Sequence, residues 1–124
     1  MLAELHVELV AADRKVWTGE ANIVVARTVS GDVGIMPGHQ PLLSVLEFGP
    51  VTIRTADGPV VALVHGGFIS FSDNKLSILA EIAELADEID VERAERELEV
   101  AKAEADAQAE VKAAARLRVA TGTY

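Results

Sequence analysis

The chain has 124 residues, half of them hydrophobic, with 11 basic and 20 acidic side chains for a formal charge of −9 and no cysteine; this length carries one compact domain plus an appendage, not two full domains. The missing cysteine excludes disulfide staples, thiolate catalysis and cysteine-ligated zinc, and the acidic balance argues against nucleic acid or an anionic lipid surface as the main partner, leaving protein partners. No apolar run approaches the roughly 20 residues that span a bilayer, and residues 1–10 carry two glutamates and no basic leader, so neither membrane insertion nor a secretory precursor is expected.

From Leu2 to about Ala80 the sequence reads as short strands, because β-branched residues dominate and Gly, Pro, Asn and Asp recur at short intervals. Leu5, Val7 and Leu9 alternate with His6 and Glu8, the period of a strand with one buried face. Ile23 to Val29 is almost continuously apolar, broken only by Arg27, and predicts a strand covered on both faces. Val51 to Ala56 and Val60 to Val64 flank Ala56-Asp57-Gly58-Pro59, and Phe68 to Ser72 and Lys75 to Ala80 flank Asp73-Asn74. Both read as hairpins, since Gly, Asn and Asp tolerate the left-handed angles of tight turns. Many short strands at this spacing predict an all-β sandwich or flattened barrel rather than a parallel sheet alternating with helices.

Past Glu81 glycine and proline vanish until Gly122, and alanine, glutamate and arginine take over, so this part is expected to be helical. Asp90 is a candidate N-cap, and Val91, Ala94, Leu98, Ala101 and Ala105 form one narrow stripe. Mostly alanine, that stripe buries little area, which predicts a tail that detaches easily. Residues 86–110 hold ten acids and three bases, whereas residues 111–124 hold only the bases Lys112, Arg116 and Arg118. Those three suit either the helix dipole or a partner contact.

Catalytic signatures are absent. His6, His39 and His65 have no spacing that places two imidazoles on one metal. His65-Gly66-Gly67 resembles an oxyanion-hole turn, but no nucleophile elbow accompanies it. Residues 31–38 are glycine-rich yet lack the Gly-Lys-Ser/Thr of a phosphate loop. The chain is therefore not expected to be an enzyme in its own right or to need a metal or cofactor.

Gly31-Asp32-Val33-Gly34-Ile35-Met36-Pro37-Gly38-His39-Gln40-Pro41-Leu42 resembles the G-x-x-G-I-x-P-x-H-x-P-L signature of the ε subunit of rotary F-type ATP synthases. Gly66-Gly67-Phe68, Leu76 to Ala80 and Ala115 to Val119 are similar to later parts of that family, in the same order. The resemblance implies a mainly β fold with an α tail: a ten-stranded β-sandwich over 1–85, then a C-terminal helical domain over 86–124 as a helical hairpin or a single helix. It implies a non-catalytic rotor subunit of the central stalk, bound to the γ subunit and the c-subunit ring at the cytoplasmic face of a bacterial membrane, with an organellar inner or thylakoid membrane as the less favoured setting. Its helices would transiently contact the catalytic hexamer and restrain ATP hydrolysis.

The same resemblance implies the site residues. Asp32, Met36 and His39 fall in the signature segment that faces the c ring and γ. Ile89-Asp90-Val91-Glu92-Arg93-Ala94 matches the (I/L)-D-x-x-R-A motif that binds ATP in some relatives. Glu84, Ile89, Asp90, Arg93, Ala94, Lys112 and Arg116 then form the implied nucleotide set, with carboxylates for the adenine and ribose and cations for phosphates. Lys112 stands where arginine is expected and lacks the planar fork.

No strong helix breaker lies between Ala94 and Leu117. Either a short hairpin turns near Asp106, or residues 90–120 form one helix about 46 Å long. The hairpin is favoured because a single helix strands Leu98 and Leu117 in water; a second helix shortened relative to related chains would reach less far into the hexamer, so strong self-inhibition is not expected. Two rival functions are an ATP sensor whose rotor attachment is secondary and a sandwich adaptor unrelated to the synthase.

Overall fold

The computed structural model describes residues 4–122. Ten strands run in chain order: β1 (Leu5–Ala11), β2 (Lys15–Ala21), β3 (Ile23–Thr28), β4 (Gly31–Ile35), β5 (Leu42–Leu46), β6 (Gly49–Thr55), β7 (Gly58–Val64), β8 (Gly67–Ser72), β9 (Lys75–Ala80) and β10 (Ala83–Leu85). A 3-10 turn at Ala86–Glu88 leads into α1 (Val91–Ala103) and α2 (Ala107–Thr121).

Hydrogen bonding orders the strands β10-β7-β6-β3-β5-β8-β9-β1-β2, with β4 paired to β3. All pairs are antiparallel except β1 with β9. A single register pair, Thr28↔Leu46, joins β3 to β5, with the Val29 amide donating to the Val45 carbonyl and the Glu47 amide to the Arg27 carbonyl on either side. There the sheet turns a corner, and β2 at one end comes to lie against β6, closing a two-layered sandwich. Alternation fills the interior: Leu5, Val7 and Leu9 are fully buried, as are Val24, Val51, Ile53, Ile69 and Ile78.

Strand β3 departs from expectation, because only Val24, Ala26 and Thr28 are buried while Ile23 and Val25 are half-exposed and Arg27 is exposed. Its apolar run reflects β propensity on a partly wet face, not two covered faces. Both expected hairpins form. Asp73 and Asn74 take φ of 52° and 59°, and Gly58 takes φ of 114° as it pairs with Thr55. Thr28 and Thr55 brace two turns identically, each hydroxyl donating over 2.7 Å to a carbonyl three residues on, that of Gly31 and that of Gly58.

The helices form a hairpin, which overturns the single-helix alternative. Asp90 Oδ1 accepts from the Arg93 amide at 3.1 Å and caps α1; Asp106 Oδ1 accepts from the Ala109 amide at 3.1 Å and caps α2. Between them Ala105 adopts φ of 55°, so the break comes from a left-handed alanine backed by a second capping aspartate rather than from glycine or proline. Ala105 thereby leaves the expected apolar stripe. Helix α2 has 15 residues and α1 has 13.

Helix α2 carries the contact with the sandwich. Ala115 and Val119 bury against Val61 and Leu63 on the outer side of β7, with Phe48, Ala86 and Ile89 around them. Ala94, Ala101 and Ala113 are buried as well, and Leu98 and Leu117 are half-buried. Small side chains on both helices bring the backbones close while burying little apolar area.

Candidate functional site

The site grows from the alternation of a three-residue strand. β10 pairs antiparallel with the end of β7, Glu84 opposite Leu63. Ala83 and Leu85 pack into the sandwich interior, so Glu84 points the other way, toward the helices. Its Oε2 lies 2.9 Å from His65 Nε2, which donates to the carboxylate, and both its oxygens lie 3.1 Å from Arg116 Nε on α2. Arg116 Nη1 donates to Glu97 Oε2 at 3.3 Å, and Arg93 Nε donates to Glu97 Oε1 at 2.9 Å. A continuous hydrogen-bonded chain therefore joins the β7–β8 turn, β10, α2 and α1. His65 is nearly buried and stacks edge-on against Phe48 with ring centres 5.0 Å apart. Such partly desolvated, charge-assisted bonds hold geometry better than exposed pairs do.

Below this chain lies a cavity of about 210 Å³ lined by Glu84, Ile89, Asp90, Arg93, Ala94 and Arg116, with Glu88 and Glu97 completing the wall. Six of the seven residues of the nucleotide set thus converge. Lys112 lies outside it, in a neighbouring groove of about 760 Å³ between α1 and α2 that Arg93, Arg96, Glu97 and Arg116 also line. Small-molecule sites begin at roughly 300 Å³, so the cavity alone is too small for a nucleotide, whereas cavity and groove share Arg93, Glu97 and Arg116.

Asp32, Met36 and His39 do not form one patch. Asp32 sits within β4, opposite Arg27, whose Nε is 3.5 Å away. Met36 and His39 lie beyond the far end of the strand, with Met36 about 13 Å along from Asp32 at a strand's rise per residue. Met36 is exposed, and its carbonyl accepts from the His39 amide at 3.0 Å. His39 Nδ1 contacts the Gln40 carbonyl at 2.6 Å, and its ring packs edge-on to Phe71. The Gly38 amide donates to Asn74 Oδ1 at 2.8 Å, tying this loop to the β8–β9 turn.

Two features escaped the sequence reading. Arg14, in the β1–β2 turn, grips Glu88 with Nη2 to Oε1 at 2.7 Å and Nη1 to Oε2 at 2.9 Å. That pairing lowers the Glu88 pKa below its usual value, helped by the Leu85 amide. Nothing local in sequence links two residues so far apart. The other is an apolar row on the outward side of the second layer, Val45 opposite Phe68 and Phe68 opposite Leu79, with Leu43 two residues along β5. All four are exposed, Leu43 at 76%. Their signal was present: these strands place apolar residues at outward positions where a solvated face is normally polar.

Among the described residues no group of His, Asp and Glu side chains is arranged to hold a metal ion. No helix among them is long and apolar enough to cross a membrane.

Residues 4–86 match the family model of the ATP synthase Delta/Epsilon chain β-sandwich domain. The chain is 77% identical over 122 residues to the ATP synthase epsilon chain of Streptomyces avermitilis, covering 98% of each, and 75% identical over 123 residues to that of Streptomyces coelicolor, covering 98% of this chain and 99% of the relative. The epsilon chain of Corynebacterium diphtheriae is 49% identical over 100 residues, 79% of this chain and 81% of the relative. Among solved structures, a chain of the Euglena gracilis mitochondrial ATP synthase superposes with TM-score 0.72 at 22% identity, over 96% of this chain and 78% of that one. A chain of the Tetrahymena thermophila ATP synthase central stalk and c-ring assembly gives TM-score 0.61 at 19% identity, over 99% and 98%. At such identities these two matches speak for the fold alone. An adaptor unrelated to the synthase is excluded by the high-identity relatives: the chain belongs to the ATP synthase epsilon chain family, whose members are non-catalytic subunits of that enzyme complex.

Proposed function

We propose that this chain is the central-stalk epsilon subunit of a proton-translocating ATP synthase, coupling rotation of the c-subunit ring to ATP synthesis through contact with γ and the ring. It is peripheral, held at the cytoplasmic face of a bacterial membrane by these partners. The sandwich over 1–85 is the docking unit, and residues 86–124 are the regulatory unit. The observation that carries the docking role is the exposed row Val45, Phe68 and Leu79 with Leu43, on the layer away from the helices. A contiguous apolar band on an otherwise acidic surface favours a protein partner. Asp32, Met36 and His39 supply further contacts to the ring and γ, Asp32 through a charge pair with a basic loop residue.

The helical hairpin regulates hydrolysis. Folded down, it is latched by Arg116 on Glu84 and rests on few large side chains, so it can rise toward the catalytic hexamer at modest cost. ATP is its regulatory ligand, with Glu84 and Asp90 facing the adenosine end and Arg93, Lys112 and Arg116 the phosphates. The grouping of Glu84, Ile89, Asp90, Arg93, Ala94 and Arg116 around one cavity supports this reading. Reassembly of an epsilon-depleted synthase with the full chain and with a chain cut after Asp87 tests both roles. Restored coupling with both chains, and faster ATP hydrolysis with the shorter one, is the expected pair of results. Unchanged hydrolysis removes the inhibitory role and leaves the coupling role.

A further inference from the structure

Resting on the nucleotide reading above, we propose that Glu97 is an internal stand-in for the ligand's phosphates, and that a polyphosphate enters the interhelical groove by displacing it. The carboxylate divides its two oxygens between the two arginines shared by cavity and groove: Oε1 takes Arg93 Nε at 2.9 Å and Oε2 takes Arg116 Nη1 at 3.3 Å. A phosphate oxygen pair makes the same two bonds. Glu97 is half-exposed and four residues from Arg93 on the same helix, so it can leave by a rotamer change with no movement of the helix.

Charge separates the two compartments. The smaller cavity presents the carboxylates Glu84, Asp90 and Glu97, together with Glu88 already held by Arg14, against two arginines, a net negative lining that disfavours a polyanion. The groove presents Arg93, Arg96, Lys112 and Arg116 against Glu97 and Glu104. Arg96 and Lys112 have no ion-pair partner among the described residues. Phosphates therefore belong in the groove and the adenosine end beside the carboxylates, with Glu97 at the junction. Removing its charge leaves four cations and one carboxylate lining the groove, with Arg116 still held by Glu84 from the cavity side.

Calorimetric titration of the full chain and of Glu97→Gln, with ATP and with inorganic tripolyphosphate at fixed salt, tests this. The glutamine variant is expected to bind both ligands at least about tenfold more tightly, the scale of one close charge pair. Binding by the variant where the native chain shows none also supports the proposal. Equal or weaker binding by the variant, with ATP still bound by the native chain, overturns it and leaves the nucleotide reading standing. No heat from either chain with either ligand at millimolar concentration overturns both. Should the variant lose its helices by circular dichroism, the carboxyl carbon signal of Glu97 in the native chain decides. It moves on saturation with tripolyphosphate if Glu97 is displaced, and an unmoved signal contradicts displacement.

Discussion

Arg14 and Glu88 meet through two parallel bonds of 2.7 and 2.9 Å across 74 residues of sequence, and Arg14 also reaches the Ala83 carbonyl at 3.3 Å. One side chain of the β1–β2 turn thus fastens the segment leading into the helices. Glu88 in turn accepts from the Leu85 amide at 3.0 Å, so the 3-10 turn is held from both sides.

That grip gives the fold an acid-sensitive element. The Arg14 guanidinium, then the Leu85 amide, hold the Glu88 pKa below its ordinary 4.5. A depressed carboxylate contributes stability above its unfolded pKa and loses it as pH falls through the folded one. Arg14→Gln is expected to lower the melting temperature at about pH 7, and by less as the pH falls below 4.5 and Glu88 is protonated. Thermal unfolding followed by circular dichroism across that range checks this; a gap that stays undiminished in acid contradicts it.

His6 behaves in the opposite sense. Its hydrogen bond to Glu20 at 2.9 Å, aided by Glu8, raises its pKa above 6.5. The associated stability is complete below 6.5 and is lost as pH climbs through the folded value. A nuclear magnetic resonance titration should place the His6 midpoint above 6.5, and Glu20→Gln should pull it back down. A midpoint indifferent to that substitution contradicts the pairing.

Gly67 is the position least tolerant of a side chain. It opens β8 at φ of 127°, and an added Cβ would fall on the Leu79 carbonyl oxygen and 2.8 Å from the Ala80 Cα. Backbone on the paired strand cannot step aside, so Gly67→Ala is expected to cost about 2–4 kcal/mol. Urea unfolding measures it; a loss below about 1 kcal/mol contradicts the close strand approach.

Phe68 and Leu79 are both more than half exposed, so charging them costs the fold little. Phe68→Asp combined with Leu79→Asp is expected to change stability by about 1 kcal/mol or less while abolishing retention on immobilised γ subunit with the c ring. Retention at the native level contradicts the docking role of this face.

The sheet was legible in the residues because alternation such as Leu5-Val7-Leu9 and turn pairs such as Asp73-Asn74 are local signals. The hairpin was half legible. Asp90 announced its helix, but the reversal at Ala105 depends on Asp106 capping the next helix and on the packing of Ala94, Ala101 and Ala113, so no single residue declares it. Strand β3 misled because its apolar residues serve one interior and one half-wet face. At the site, Glu84 and Arg116 came with the family resemblance, whereas His65 and Glu97 entered only when the β7–β8 turn, β10 and the helices met in space. The grip of Arg14 on Glu88 is wholly tertiary, and so was invisible along the chain.

If this chain couples the rotor, it restores proton pumping to a synthase that lacks its own epsilon subunit. Inverted membrane vesicles stripped of their epsilon subunit, from a bacterium whose synthase contains a closely similar one, are supplied with this chain, and ATP-driven acidification is recorded with a fluorescent probe. Acidification is expected to return with the native chain and to fail with the doubly charged Phe68 and Leu79 variant. ATP hydrolysis without restored acidification, under conditions where the vesicles' own epsilon subunit restores it, would contradict the account.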